Sequence, residues 1–375
     1  MFSTDRSILS ADSDSQKRML EYGKIFDELH IIVLNQGPGA GNRAAGNVFF
    51  YPVNIRFKPL YFWRAYQIGK KIIRNRKLDI GNSVITAQDP FETGLVGWLL
   101  KIKFRLPLQL QIHTDVFSPY FGRESFKNKL RVLLAKFLLP KADGIRAVSE
   151  RIKQSLTSNV RGQLSNVSVL PIFVDIEKIR NENIKTDLHK KYPNYDFIIL
   201  MASRLTMEKN IGMAIEAMRE IVKKYPKTLL LVVGEGPESD GLKVQSQKLK
   251  VNNNVIFENW TEDLISYYKT ADLFLLTSNY EGYGRTVIEA MAAELPVAMA
   301  DVGLAGELLI NDLNGRVVPI ENSNVLAETI LELKENPAKR EKFEFNSSKL
   351  LVNWPVKREY LEKYRNSLEL KKMLK

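Results

Sequence analysis

The chain of 375 residues contains no cysteine. That excludes a disulfide framework, a zinc–thiolate centre and a thiol nucleophile, and it points to a reducing compartment. Histidine is nearly as scarce: His30, His113 and His189 lie scattered, without the close spacing of a metal site. Long hydrophobic runs are missing too. The strongest, FIILMA and LLLVV, are far too short to cross a bilayer, and the start MFSTDRSILSADSDSQ has neither the basic lead nor the apolar core of a signal peptide. The sequence therefore reads as cytoplasmic, either free or peripheral on the inner face of a membrane. No internal repeat of solenoid period and no low-complexity tract is visible.

Acidic residues are the third shortage, and a local one. The formal charge is +12, but residues 1–170 hold 26 Lys+Arg against 13 Asp+Glu, residues 171–350 hold 22 against 27, and residues 351–375 hold 7 against 3. Within residues 56–141 the contrast reaches 17 basic against 5 acidic side chains. Such asymmetry calls for an anionic partner of the first half: a phosphate-bearing substrate, a membrane surface or nucleic acid.

What is present fits two domains, because 45% hydrophobic residues suffice to fill two cores in a chain of this length. Short apolar runs alternate with amphipathic patterns, the signature of βαβ units and doubly wound parallel sheets. In the first half, strands are predicted at Ile31–Leu34, Val48–Pro52, Val84–Ala87, Leu108–His113, Gly144–Val148 and Val167–Pro171. Helices are predicted at Asp14–Leu29, Leu60–Arg76, Thr93–Phe104, Ser125–Leu139 and Ser149–Leu156. A second series of strands runs through Phe197–Ala202, Thr228–Val233, Asn254–Phe257, Leu273–Thr277, Pro296–Ala300 and Gly315–Val318. Its clearest helix, Lys209–Tyr225, aligns Ile211, Ala214, Ile215, Met218, Ile221, Val222 and Tyr225 on one face. The domains are expected at residues 1–172 and 173–350, with residues 351–375 as closing helices and the polar stretch Asp175–Pro193 as a hinge. Only MFS precedes the first polar loop, so the opening strand is expected to be short.

The chemistry gathers in NYEGYGRTVIEAM, Asn279 to Met291. The strand ADLFLLTS ends near Ser278, Gly282 and Gly284 permit a tight turn around Tyr283, and Arg285 opens a helix that carries Glu289. The amides of Gly284, Arg285 and Thr286 can hold a diphosphate at such a helix start. Glu281 before the cradle can reach sugar hydroxyls, and Glu289 can accept from vicinal ribose hydroxyls. The plain alternative is that Glu289 pairs with Arg285 at i, i+4 and Glu281 is a loop residue. ASRLTMEKN places Arg204 beyond a strand end and Lys209 before a helix, where two cations could neutralise a leaving diphosphate without a metal; solvated basic residues are the alternative. In VVGEGPESD, Gly234 and Gly236 give a weak turn signal.

In the first half, QIHTDVFSPYF sets His113 at a strand end with Asp115 two residues on, placed for hydrogen bonding to a substrate. QGPGAGNRAAGN lacks the spacing of a phosphate-binding loop and is read only as a mobile segment. Asp12-Ser13-Asp14 has the form of a metal-binding D-x-D, but the helical run behind it favours capping. Helix Ser125–Leu139 carries Phe126, Leu130, Leu133, Leu134, Phe137 and Leu138 on one face, predicted to be core, with Lys129, Arg131 and Lys136 on a solvated side. Val132 and Leu139 fall off that face among the lysines, a pattern open to interfacial binding of anionic lipid.

Together these stretches resemble the GT-B retaining glycosyltransferases of family 4, the glycosyl transferases of group 1. EGYGRTVIE is similar to the family's E-x7-E element and SRLTMEKN to its diphosphate element. VVGEGP, ADLFLLTSNYEG, ADGIRAVSERI and NWPVKREYLEKY are similar to further family features, most strongly from Phe197 to Pro319. The resemblance implies two Rossmann-like domains facing a central cleft, with the C-terminal helix crossing back to the first. It implies a UDP- or GDP-linked sugar as donor, retention at the anomeric carbon, no metal or other cofactor, and a glycan or lipid-linked acceptor. It further implies Glu281 beside the donor sugar, Glu289 on the ribose, Arg204 and Lys209 on the diphosphate, Gly234 along the donor edge, His113 on the opposite wall, and Trp260 and Thr261 flanking the base. Ile172-Phe173 and Glu294 depart from common members, which have Asn-Gly and glycine there. The short first strand bears on STDRSILS, a loop that in the family approaches donor and acceptor.

Other readings keep the fold with a different reaction: a sugar-nucleotide epimerase or a soluble small-acceptor transferase, separable by product analysis, or a phosphorylase, which needs a pyridoxal-phosphate lysine. Charge alone would also fit a nucleic-acid-binding protein, but no helix-turn-helix, zinc or RNA-binding signature accompanies it, and no nucleic acid is expected as a partner.

Overall fold

Met1–Pro171 and Lys357–Lys375 form one unit and Ile172–Val356 a second, in a computed structural model that describes residues 1–34, 41–55, 58–75, 82–160, 162, 164 and 166–369. The first unit is built on β1 (Phe2–Ser3), β2 (Leu29–Val33), β3 (Arg43–Ala45), β4 (Val48–Pro52), β5 (Ile85–Ala87), β6 (Leu108–Ile112), β7 (Gly144–Ala147) and β8 (Val167–Val169). They form one sheet in the order β3-β4-β2-β1-β5-β6-β7-β8. Every pair is parallel except β3 against β4. The short β1 is central. It pairs with β2 on one side and β5 on the other, so the strand order reverses around it, the place where open α/β sheets bind ligands.

Several sequence expectations change here. The helix from Asp14 ends at Gly23, not Leu29, because Leu29 already begins β2. Ser13 Oγ accepts from the Gln16 amide at 3.1 Å, so the D-x-D stretch is a helix cap. Of the glycine-rich segment, residues 35–40 lie outside the described residues, while Arg43–Ala45 is not a loop but an antiparallel strand beside β4. Asn47 fixes that hairpin by donating to the carbonyls of Gly23 and Phe26 at 2.8 and 2.7 Å.

The largest departure is the face of helix Phe126–Leu138. Asn128, Ala135, Leu138 and the following Leu139 are buried, whereas Phe126, Leu130, Leu133 and Phe137 are exposed at 75, 50, 64 and 45%. Helical spacing shows that apolar residues share a stripe, but not which stripe finds cover. Here the small and flanking side chains turn inward, with Leu138 against Gly94 of helix Glu92–Phe104. Among the described residues, no helix is long and apolar enough to cross a membrane.

The closing helix Lys357–Leu368 buries Tyr360, Tyr364 and Leu368 in the first unit. Its anchor is Arg146, a buried guanidinium that has no carboxylate partner among the described residues. It donates to Gln111 Oε1 (3.1 Å), the Leu170 and Pro171 carbonyls (3.2 and 3.0 Å) and the Tyr360 hydroxyl (2.8 Å), and it lies over the Tyr364 ring. These four hydrogen bonds are what make burial of such a group tolerable.

The second unit holds β9 (Phe197–Ala202), β10 (Thr228–Val233), β11 (Val255–Glu258), β12 (Leu273–Leu276), β13 (Val297–Ala300) and β14 (Arg316–Val318). All are parallel, in the order β11-β10-β9-β12-β13-β14. This is the doubly wound order with its switch point between β9 and β12. Every residue of β9 and β10 is buried, as continuous apolar runs covered on both faces require. Helix Ile211–Lys224 buries Ile211, Ala214, Ile215, Met218 and Ile221, as its spacing predicts. The stretch Asp175–Pro193 is not a free hinge. It forms helices Ile176–Asn181 and Leu188–Lys191, and Lys185 and Leu188 donate backbone amides to Ser266 and Thr270, which ties it to the second unit.

Candidate active site

Because the second sheet is wholly parallel, the loops that leave its strands share one edge. Those after β9 and β12 meet at the switch point, where the chain diverges to opposite faces and leaves room between them. The β9 loop carries Arg204, Glu208 and Lys209; the β12 loop carries Thr277 through Gly284. They are stitched together by Thr277 Oγ1, which donates to the carbonyls of Lys209 and Asn210 at 3.0 and 2.9 Å. The Asn279 amide donates to the Glu208 carbonyl at 2.8 Å, and the Asn210 side chain donates to that of Asn279 at 2.8 Å. Asn210 holds a left-handed conformation, φ +43°, which turns the chain from the Met207–Lys209 helical turn into the long helix.

This stitching brings Lys209 onto Glu281. Their side chains, 17% and 13% exposed, form an ion pair and hydrogen bond. Ser278 Oγ donates to the same Glu281 oxygen at 2.9 Å. Arg204 stands apart from the pair, 76% exposed and bound to Glu208 at 3.1 Å. Gly284, at φ +90°, opens helix Arg285–Ala292 and has no side chain with which to cap its first amides. Inside the helix, Arg285 Nε donates to Glu289 Oε1 at 2.6 Å and the Tyr268 hydroxyl donates to Oε2 at 3.1 Å. The i, i+4 pairing is therefore present, but the Glu289 side chain is only 12% exposed and receives a buried phenol besides. Burial and the Glu289 carboxylate hold that phenol well above its ordinary pKa, which keeps it a donor.

Two glycines shape this edge by close approach. Gly234, at φ +147°, follows β10, and a Cβ there would fall 1.9 Å from the Ser203 carbonyl oxygen. Its amide donates to the Glu258 carbonyl at 2.9 Å, so Gly234 packs the β9 loop into place. Gly303, after β13, would set a Cβ 2.7 Å from the Tyr283 carbonyl oxygen and 3.1 Å from Glu281 Cβ. The buried Tyr283 backbone thus rests on a residue to which the sequence assigned no role in the site, and it assigned none to Thr277, Ser278, Asn210, Asn279 or Tyr268. A glycine followed by no periodic run, and an asparagine at a helix start, were the available signals. At the far end of the edge, Trp260 is 54% exposed beyond β11, and Thr261 Oγ1 accepts from the Asp263 amide at 3.1 Å.

His113 belongs to the first unit, just beyond β6. Its Nε2 is shut from solvent and, among the described residues, has no hydrogen-bond partner. Burial, with Arg146 and Arg18 nearby, lowers its pKa to about 3, so the imidazole is neutral at ordinary pH. Asp115 is a turn residue: it accepts from Ser155 Oγ at 2.7 Å and from the Phe117 amide at 3.3 Å.

Residues 184–350 match the profile of the glycosyl transferases group 1, and residues 27–178 that of Glycosyltransferase Family 4. An alpha-monoglucosyldiacylglycerol synthase of Streptococcus pneumoniae is 28% identical over 72% of this chain and 62% of its own length. The chain spans just under two thirds of the length of that relative and of an uncharacterized glycosyltransferase of Methanocaldococcus jannaschii, which is 27% identical over 73% of this chain and 66% of its own. Sucrose-phosphate synthase of Thermosynechococcus elongatus superposes with a TM-score of 0.80 at 18% identity, over 100% of this chain and 98% of that one. HepE of Anabaena, in complex with UDP and glucose, superposes with a TM-score of 0.75 at 20% identity, over 98% of both chains. These superpositions bear on fold: two Rossmann-like domains of GT-B architecture.

Proposed function

The chain belongs to the group 1 glycosyltransferases of family 4, and from that premise we propose a retaining, metal-independent transfer of a hexose from a UDP- or GDP-linked sugar. The acceptor is a glycan or lipid-linked molecule of cell-surface polysaccharide or glycolipid synthesis. One observation carries the proposal: the Lys209–Glu281 pair at the switch point of the second sheet, beside the uncapped start of helix Arg285–Ala292. Lys209 and the exposed Arg204 bind the diphosphate together with the helix amides, a cation set that does the work of a metal. Glu281 takes the sugar hydroxyls as Lys209 turns to phosphate. Glu289 accepts from the ribose hydroxyls, and Trp260 and Thr261 flank the base. UDP in the HepE complex favours the uridine nucleotide.

Retention follows from attack on the leaving-group face. The acceptor oxygen bonds to the anomeric carbon as the carbon–phosphate-oxygen bond breaks, and the departing phosphate oxygen takes the acceptor's proton. His113, neutral and with its Nε2 shut from solvent, carries no charge to the step. A panel of UDP- and GDP-sugars, with chelator present, is expected to give nucleotide release from one donor. Glu289→Ala is expected to raise the KM for that donor at least tenfold, in keeping with hydrogen bonds to a charged group. Release abolished by the chelator, or unaltered in Glu289→Ala, overturns this reading.

The exposed stripe Phe126, Leu130, Leu133 and Phe137, flanked by exposed Lys127, Lys129 and Lys136, supports docking of the first unit on an anionic membrane surface, apolar side chains in the interface and lysines on headgroups. Its cost to remove is readable. Phe126→Ser with Leu133→Ser is expected to lower partition onto phosphatidylglycerol vesicles at least tenfold, since each buried side chain of this size contributes roughly 1.5–3 kcal/mol. The wild type should leave vesicles of neutral lipid at high salt. Equal sedimentation of wild type and variant would sink the docking.

A further inference from the structure

From Leu29 to Leu78 the sequence holds nine Lys and Arg and not one Asp or Glu. Part of this stretch walls a cavity of about 1060 Å³ in the first unit, between the exit of β4 and helix Lys58–Asn75. On the helix side stand Arg64, Lys70, Lys71 and Arg74; on the strand side, Tyr51 and Asn54. Among the described residues, no carboxylate lines it.

What sets this cavity apart is that four cations gather around one space. Some basic side chains of the same unit meet acids: Lys101 meets Asp143 at 2.7 Å, and Arg131 and Lys127 share Glu92 at 2.9 and 3.1 Å. Among the described residues, none of the four cations around the cavity has an acidic partner. Four like charges within three turns of one helix repel one another, a cost relieved when an anion enters. Arg64, with its planar fork, suits a bidentate oxyanion, and the lysines supply further point charges. The volume is that of a small-molecule site, large enough for a sugar bearing the charged group.

We propose that this cavity binds an anionic group of the acceptor, a phosphate or carboxylate carried by the sugar or headgroup that receives the hexose. The assignment of the anion to the acceptor rests on the transferase reading above; the anion site itself does not. The cavity lies in the first unit, beside the exit of β4, and is made of residues distinct from the donor-binding set of the second sheet. A neutral acceptor would leave the four cations uncompensated, so the site selects for charge.

The test uses the full chain with its lysines reductively methylated with ¹³C, so that Lys70 and Lys71 report directly. Glycerol 3-phosphate and glucuronate are titrated, with glycerol and glucose as uncharged controls. Both anions are expected to move the Lys70 and Lys71 signals saturably, the controls to leave them in place, and Lys129 and Lys136 to stay unmoved. Arg64→Gln with Arg74→Gln keeps both reporters and is expected to weaken anion binding at least tenfold. A uniform shift of all lysines, or unchanged binding in the double variant, overturns the site. Vesicles of phosphatidylglycerol separate the sources: retention that falls in the double variant assigns the anion to a lipid headgroup, and unchanged retention assigns it to a glycan. No nucleotide sugar is present in any arm, so failure here is distinct from failure of glycosyl transfer.

Discussion

Lys209→Ala is expected to lower kcat/KM for the nucleotide sugar about a thousandfold, the upper end of what one preorganised electrostatic group contributes. The size follows from two effects of the same sign. The ammonium that neutralises the diphosphate is removed, and Glu281, which keeps the Ser278 Oγ bond at 2.9 Å, presents its carboxylate to an incoming anion without that cation. Lys209→Arg keeps the charge and should retain part of the activity. Glu281→Gln in the Lys209→Ala background removes the repulsion and should recover part of the loss, a coupling read by the double-mutant cycle. The loop itself is spared, because Thr277 Oγ1 bonds to the Lys209 carbonyl, not to its side chain. Stabilisation against heat by UDP gives an independent reading. If Lys209→Ala keeps both turnover and UDP stabilisation, the pair is only a staple between loops.

The scaffold of this site was legible because its signals are local. β9 and β10 are bounded in the structure as their apolar runs predict, and Arg285 opens its helix where Gly284 permits the turn. Lys209, Glu281 and Glu289 were likewise placed by strand ends and helix starts. Their partners were not. Thr277 bonds to Lys209 and Asn210 over a separation of 68 and 67 residues, and nothing in either segment encodes the other. Tyr268, which completes the shell of Glu289, reaches it from 21 residues away, and nothing in its own segment encodes that contact. The stripe of helix Phe126–Leu138 failed for a related reason: its period was right, but burial depends on which neighbour arrives, and the inward side went to Ala135 and Leu138. The unpaired cations of helix Lys58–Asn75 are visible as a charge run, while the cavity they line exists only once β4 is laid against the helix.

The second large effect is expected from Gly303→Ala, a substitution of one methyl at a residue with no side chain to lose. Its Cβ would sit 2.7 Å from the Tyr283 carbonyl oxygen and 3.1 Å from Glu281 Cβ, on a backbone of φ +53°. The left-handed conformation costs about 1–2 kcal/mol for a residue with a Cβ, and that term acts on stability alone. The close approach acts on geometry: to relieve it, the Glu281–Tyr283 segment must move by some tenths of an ångström, and with it Glu281, the Lys209 pair and the turn that opens helix Arg285–Ala292. Misplacement on the scale of about 1 Å costs roughly a hundredfold in rate, and a loss of that order in donor kcat/KM is expected. Gly306→Ala isolates the first term. Gly306 has φ +77° but no atom within 4 Å of its Cβ position, so this variant should lose thermal stability comparably while keeping kcat/KM near that of the wild type. If the two variants lose activity equally, the contact between Gly303 and the Glu281 loop transmits nothing to the site, and only the backbone conformation of the two glycines matters.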